Sequence, residues 1–241
     1  MRLSHKSFSS AVPTMSHREQ RTFCRMVARK FPNYFTNVKV LDIGSLDVNG
    51  SNRNLFRSSE YTGLDVAPGK NVDVVDSGHT YGGPDKYYDT IVSTEVFEHD
   101  MHYQNTVQNV IRMLKPGGLF VFTCASTGRP EHGTRRQSVE DAPLLSQVSE
   151  DWADYYQNLT EMDFTSISGF SSAFQNCLFL FNDQCELPSD LYFFGFKSDP
   201  DRIDLGVRNY FSIDKINSVR YASLRDQLHH YALKLKSMLA R

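Results

Sequence analysis

The sequence predicts an α/β fold: a seven-stranded, mostly parallel sheet closed by an antiparallel C-terminal hairpin, with N- and C-terminal helices. Three observations predict it. Short apolar runs recur between Val38 and Cys124 with polar or helical segments between them, and strands joined in this way pair in parallel. Tyr103, Val107, Val110 and Leu114 mark one face of a helix before the last of those runs, following the helical period. Two aromatic runs, residues 174–181 and 191–197, then follow across a short polar loop, as the strands of a hairpin do.

Each element has a local reason. Residues 1–15 are polar and Ser-rich and are expected to be a flexible N-terminus. Ser16, with Glu19 three residues on, reads as a capping box that opens a helix. Phe23, Met26, Val27 and Lys30 continue it, and Pro32 ends it. Residues 38–43 are a strand running into Gly44, and a helix holding Leu55 and Phe56 is expected from near Asn49. Residues 61–64 are a second strand ending at Asp65, with further strands at 72–75 and 88–93. The Lys115-Pro116-Gly117-Gly118 run stops the next helix, and 119–124 is the fifth strand.

Residues 125–160 break this rhythm. They are polar, hold Pro130, Pro143 and the sole Trp152, and read as a substrate-side insertion in a domain spanning 16–200. A further helix is expected at 160–170. Within the C-terminal segment 201–241, residues 213–239 are expected to form an amphipathic helix. Its stripe of Ile216, Val219, Leu224, Leu228, Tyr231, Leu235 and Met238 either lies against the domain or makes a homodimer.

Composition narrows the function. The chain has 241 residues, 40% hydrophobic and 22% charged, an ordinary globular balance for one domain. A formal net charge of −2 gives no global pull toward nucleic acid or an anionic membrane. No run approaches the roughly 20 apolar residues of a membrane span, and none follows Arg2, His5 and Lys6 to make a secretory leader. Cys24, Cys124, Cys177 and Cys185 show no paired spacing, which argues against a disulfide framework or zinc knuckle. Reduced thiols in the cytoplasm are expected.

The strongest local signal is VLDIGSLDVNG, Val40 to Gly50. A strand ends in a turn at Gly44, where glycine permits close backbone approach and positive φ. Read alone, this is either a ligand-cradling loop or a plain β–α turn. Asp65 at the end of the second strand adds an acid placed to accept both hydroxyls of a ribose. Its other reading is a helix cap or solvated turn before Pro68-Gly69.

Together these segments resemble the class I S-adenosylmethionine (SAM)-dependent methyltransferases. Val40 to Gly50 resembles their first motif and YTGLDV, 61–66, their second. YDTIVSTEVFEH, 88–99, is similar to their fourth-strand motif, and LKPGGLFVF, 114–122, to the turn before their fifth strand. The resemblance covers about residues 38–126, and the terminal hairpin also fits. It implies a Rossmann-like fold with SAM as cofactor. Gly44, Ser45 and Gly50 would then line its methionine moiety, with Asp42 bracing the loop. Asp65 would hold the ribose, Val66 would pack on adenine, and Asp76 and Ser77 would meet the adenine edge. Ser93, Thr94 and Glu95 would close the pocket floor. The family often has glycine where this chain has Leu46; a leucine narrows the loop, reshaping it or marking lost catalysis, and the polar Asp47 and Asn49 would compensate.

Methyl transfer needs chiefly positioning of the cofactor's electrophile, and an acceptor hydroxyl or amine also needs a base. His99, just past the fourth strand, and His132, after the fifth, are the candidates; His99 otherwise caps the next helix or bonds to backbone. Arg129, Tyr155 and Tyr156 are expected on the acceptor side, with Trp152 and the two tyrosines either walling the pocket or packing as core. His99 and His102 beside Glu98 and Asp100 are not in the HExxH order, so no metal is expected. The acceptor is expected to be a small molecule or glycan, methylated on O or N. Ser93-Thr94-Glu95-Val96 stands where amino-directed nucleic-acid enzymes of the family carry Asn-Pro-Pro-Tyr. The alternatives are a non-catalytic scaffold and an NAD-dependent oxidoreductase, whose fingerprint lacks its second glycine here.

Overall fold

A computed structural model describes residues 18–181 and 189–199. The N-terminal segment 1–15, Ser16, Cys185 and the C-terminal segment 201–241 lie outside the described residues. In chain order the elements are α1 (Arg18–Lys30), β1 (Lys39–Ile43), β2 (Glu60–Asp65), β3 (Val74–Val75), β4 (Tyr88–Thr94), α2 (Tyr103–Met113), β5 (Leu114–Ala125), α3 (Glu150–Asp154), α4 (Glu161–Thr165), α5 (Phe170–Ala173), β6 (Asn176–Phe181) and β7 (Asp190–Phe196).

The strands form one sheet in the order β3-β2-β1-β4-β5-β7-β6. The first five pair in parallel, and β7 and β6 are antiparallel additions beyond β5, as the sequence predicts. The strand order reverses between β1 and β4, and the crevice past the carboxyl ends of such a pair is where open α/β sheets bind ligands.

Side-chain alternation splits the core between the two sheet faces. Phe120 and Phe122 of β5 join Leu41, Ile43, Phe97, Phe164 and Phe193 on one face. Leu119 and Val121 join Tyr192 and Phe194 on the other, where α1 lays down Phe23, Cys24 and Val27. Phe193 is central to the first face: its ring stacks on Phe122 at 4.8 Å and 19° and lies 4.7 Å from Phe179. Phe193→Ala should therefore cost about 3–5 kcal/mol of stability, as deletion of a buried aromatic ring does. Urea unfolding measures it, and a loss no larger than the ~0.5 kcal/mol of a surface change would contradict this placement.

The structure corrects three boundaries. No α-helix follows Asn49; a single 3-10 turn, Asn52–Leu55, stands there, capped by the Ser51 hydroxyl accepting from the Arg53 N–H at 3.0 Å. A Gly-Ser-Asn-Arg-Asn run cannot repay helix nucleation over so few residues. β5 begins at Leu114, not after Gly118, because the chain shifts register against β4 between Tyr88 and Thr90. The helix expected at 160–170 is two short ones, α4 and α5, separated at Gly169, whose φ is +86°.

Candidate active site

The turn after β1 is built on Gly44 and Asp65. Ile43 and Leu64 pair directly, and the Gly44 and Ser45 N–H groups donate to the Leu64 carbonyl at 2.8 and 3.1 Å. The two predicted cofactor residues are thus neighbours on one rim. Gly44 has φ +76°, and a Cβ on it would fall 2.0 Å from Val96 Cγ2. Asp65 Oδ2 accepts from the Leu46 N–H at 2.9 Å, and its Oδ1 from the Val66 N–H at 2.8 Å. Burial raises its pKa.

Two concavities meet at this rim. An apolar pocket of about 660 Å³, counting its open mouth, takes Asp65, Val66, Asp76 and Gly78 on one side and Trp152 and Pro143 to Leu145 on the other. A polar cleft beside it is lined by Arg21, Asp42, Ser45, Asn49, Gly50 and Thr94. Gly44, Leu46, Val48 and Glu95 line both, so the two form one crevice at the β1/β4 reversal. Asp42 accepts from the Tyr61 hydroxyl through Oδ2, while Oδ1 has no hydrogen-bond partner among the described residues. Burial pushes the Asp42 pKa up to about 7.

Other expected residues support the rim from behind. Ser93 is fully buried, its hydroxyl donating to the Ile43 carbonyl at 3.0 Å, and lines neither concavity. Asp47 faces Lys70 at 2.9 Å and accepts from the Gly50 N–H. The Ser77 N–H donates to Asp76 Oδ1 at 2.7 Å. Leu46 turns a methyl over Gly69, where a Cβ would meet it at 2.4 Å.

The acceptor-side residues separate in the same way. Arg129 is buried against Asp190 at 3.2 Å. The Tyr156 hydroxyl donates to the Pro130 carbonyl at 3.1 Å and that of Tyr155 to Gln157 at 3.0 Å. None of the three lines the pocket, whereas Trp152 does. His99 lines the pocket wall and His132 stands behind it, with ring centroids 5.2 Å apart. Burial lowers the pKa of both, that of His99 to about 3, with only a weak opposing pull from the nearby Tyr155 backbone. Both imidazoles are neutral, and so weak a base is poorly matched to removing a hydroxyl proton.

The sequence missed Arg21 and the Ala142 to Leu145 wall. Arg21 reaches the cleft from α1, where its Nη1 donates to the Asn49 carbonyl at 3.0 Å and its Nε has no partner among the described residues. No local motif marks it. Residues 142–145 carry apolar side chains inside a segment that reads as polar overall.

Comparisons with known proteins agree with this geometry. A family model described as a methyltransferase domain matches residues 15–175. No curated protein sequence matches the chain. Phosphoethanolamine N-methyltransferase 2 of Haemonchus contortus, solved with S-adenosyl-L-methionine, superposes at TM-score 0.52 and 14% identity, over 77% of this chain and 54% of that one. A putative sarcosine dimethylglycine methyltransferase from Galdieria sulphuraria gives TM-score 0.50 and 16% identity, over 74% and 86%. The CurJ carbon methyltransferase gives TM-score 0.45 and 16% identity over 68% of this chain, which spans 50% of that protein. At these identities the first two likenesses are ones of fold, and the family match supplies the rest. The nicotinamide-dependent reading is thereby replaced: the chain belongs to the methyltransferase-domain family of class I, S-adenosylmethionine-dependent enzymes.

Proposed function

We propose that the chain transfers the methyl group of SAM to an oxygen or nitrogen atom of a small-molecule or glycan acceptor. One observation carries the reading: a polar cleft and an apolar pocket share Gly44, Leu46, Val48 and Glu95 at the reversal point of the sheet. That is the division an amino-acid nucleoside requires.

The residues present fit the cofactor. Asp42 Oδ1 and Arg21 Nε, buried and unpartnered among the described residues, suit an ammonium and a carboxylate, the two ends of the methionine group. Gly44 lines both concavities, and the space a Cβ would take is filled by the Val96 side chain. Asp65 retains lone pairs for the ribose hydroxyls, Val66 supplies an apolar face for adenine, and Asp76 stands at the edge of the same pocket. SAM supplies an electrophilic methyl on a sulfonium when bound. The protein's work is to hold the acceptor in line and exclude water. The wall from Ala142 to Leu145 with Trp152 suits the second task.

Isothermal titration with SAM and S-adenosylhomocysteine, followed by transfer of labelled methyl to small-molecule and glycan pools, tests the reading. Absence of binding to either nucleoside would favour a scaffold role, the reading Leu46 keeps alive at the junction of cleft and pocket. Asp42 adds a pH dependence. Its folded-state pKa is raised to about 7, and a bound ammonium favours the carboxylate, so SAM affinity should rise as pH is raised through about 7 and fall below it. Asp42→Asn should flatten that profile; an unchanged slope would place the ammonium elsewhere.

A further inference from the structure

The turn after β4 and the loop after β5 bring together buried donors that methyl transfer does not itself require. Glu95, Glu98, His99 and His132 are 3, 0, 4 and 7% exposed. One ligand atom from each of Glu98, His99 and His132 lies within 4.8 Å of the others. Glu95 Oε2, Glu98 Oε2 and His132 Nε2 have no hydrogen-bond partner among the described residues, and the His99 ring nitrogens have none of good geometry, with only the Tyr155 backbone near. Buried polar atoms ordinarily find partners, and so many orphans in one place call for a ligand.

The remaining atoms of these side chains are held in the orientation that a ligand set needs. Glu98 Oε1 accepts from the Ala125 N–H at 3.0 Å, and Glu95 Oε1 from the Thr123 hydroxyl at 3.2 Å. His132 Nδ1 lies 3.1 Å from the Pro130 carbonyl. A carbonyl can only accept, so Nδ1 carries the proton and Nε2 presents a bare lone pair to the cluster. This backbone support is the usual outer partner of a metal-bound histidine. His99 has room because Gly133, at φ +66°, carries no Cβ, which would otherwise fall 2.7 Å from His99 Cε1. Glu95 holds φ +56°, strain of a kind that collects at functional sites. The carboxylates of Glu95, Glu98 and Asp190 all act on the buried Arg129 guanidinium.

We propose that Glu98, His99 and His132, with Glu95 beside them, bind a divalent first-row transition-metal ion whose open position holds an oxygen of the methyl acceptor. Two imidazoles and a carboxylate suit zinc, manganese, iron or cobalt, whereas magnesium and calcium favour oxygen-only sets. Bonds of about 2.0–2.1 Å hold neighbouring donors about 3.3 Å apart, so the cluster closes by small side-chain movements. His99 and Glu95 line the pocket, which turns the open side of the ion toward the acceptor. A hydroxyl held there would have its pKa lowered by the ion. The acceptor half of this proposal rests on the methyltransferase reading; the ion site does not.

The test uses the full chain, stripped with chelator and titrated with Co²⁺ alone. Expected are one ion per chain, visible absorption of a low-coordinate His/carboxylate cobalt centre, and a shift of those bands on adding catechol as a chelating hydroxyl probe. His132→Asn and Glu98→Gln should each weaken Co²⁺ binding by about 100-fold or more, beyond the loss of an outer-shell partner. His132 lines neither cleft nor pocket, so His132→Asn should keep its S-adenosylhomocysteine affinity, which also reports that the variant is folded. A wild-type chain that binds S-adenosylhomocysteine but not Co²⁺, or both variants binding Co²⁺ as wild type does, overturns the site. Co²⁺ binding without nucleoside binding would instead sink the methyltransferase reading and leave the ion site standing. Bands that ignore catechol overturn the acceptor half.

Discussion

Asp65→Ala is expected to weaken SAM binding by about 100-fold or more while the sheet stays folded. Two hydrogen bonds from ribose hydroxyls to an ionised carboxylate are worth about 1.5–3 kcal/mol each, and every ~1.4 kcal/mol is tenfold in affinity. The carboxylate has a second duty, since it accepts from the Leu46 and Val66 N–H groups at 2.9 and 2.8 Å. Removing it frees the turn that carries Leu46 as well as the ribose. Asp65→Asn separates the two effects, because its amide keeps one acceptor oxygen for the turn but cannot accept at both positions. Binding should rank wild type above Asn above Ala, whereas thermal unfolding should move little for Asn. An Ala variant that binds SAM as wild type does would show that the ribose is held elsewhere.

The sheet was legible because apolar strands and the α2 stripe carry their periods openly, and the hairpin is marked by its aromatic runs. The rim was legible because Gly44 and Asp65 end neighbouring strands, so sequence order dictates their proximity. What was not legible depends on contacts across long separations. Leu55 and Phe56 read as a helix face, yet they pack with α1 and the Phe35 ring, which stacks on Phe56 at 4.8 Å. Arg21 is one polar residue on an amphipathic helix, and nothing local marks it for the cleft. His99 invited pairing with His102, its neighbour in sequence. The fold instead sets His102 4.2 Å from His79 and His99 beside His132, a meeting decided by the loop after β5. Arg129 was expected on the acceptor side, and only the tertiary structure supplies Asp190 as its buried partner.

Gly44→Ala should be the most damaging single-methyl change in the site, and its cost has two separable parts. The first is conformational: at φ +76° an L side chain crowds the following carbonyl, costing about 1–2 kcal/mol. The second is steric, since the new Cβ would fall 2.0 Å from Val96 Cγ2, an overlap of the kind that costs about 1–3 kcal/mol in a packed site. The sum, roughly 2–5 kcal/mol, acts at the point where cleft and pocket join, so cofactor affinity should fall together with stability. Val96→Ala tests the division. In the double variant the 2.0 Å overlap with Val96 Cγ2 is removed, leaving a Cβ–Cβ contact of 3.2 Å, while the strain at φ remains, so urea unfolding should give a coupling of about 1–3 kcal/mol in favour of the pair. Simple additivity would mean that Val96 already moves aside and that strain at Gly44 carries the whole effect. Either way the turn after β1 tolerates no side chain without displacing something, and the glycine there is required both by the positive φ of the turn and by the closeness of Val96.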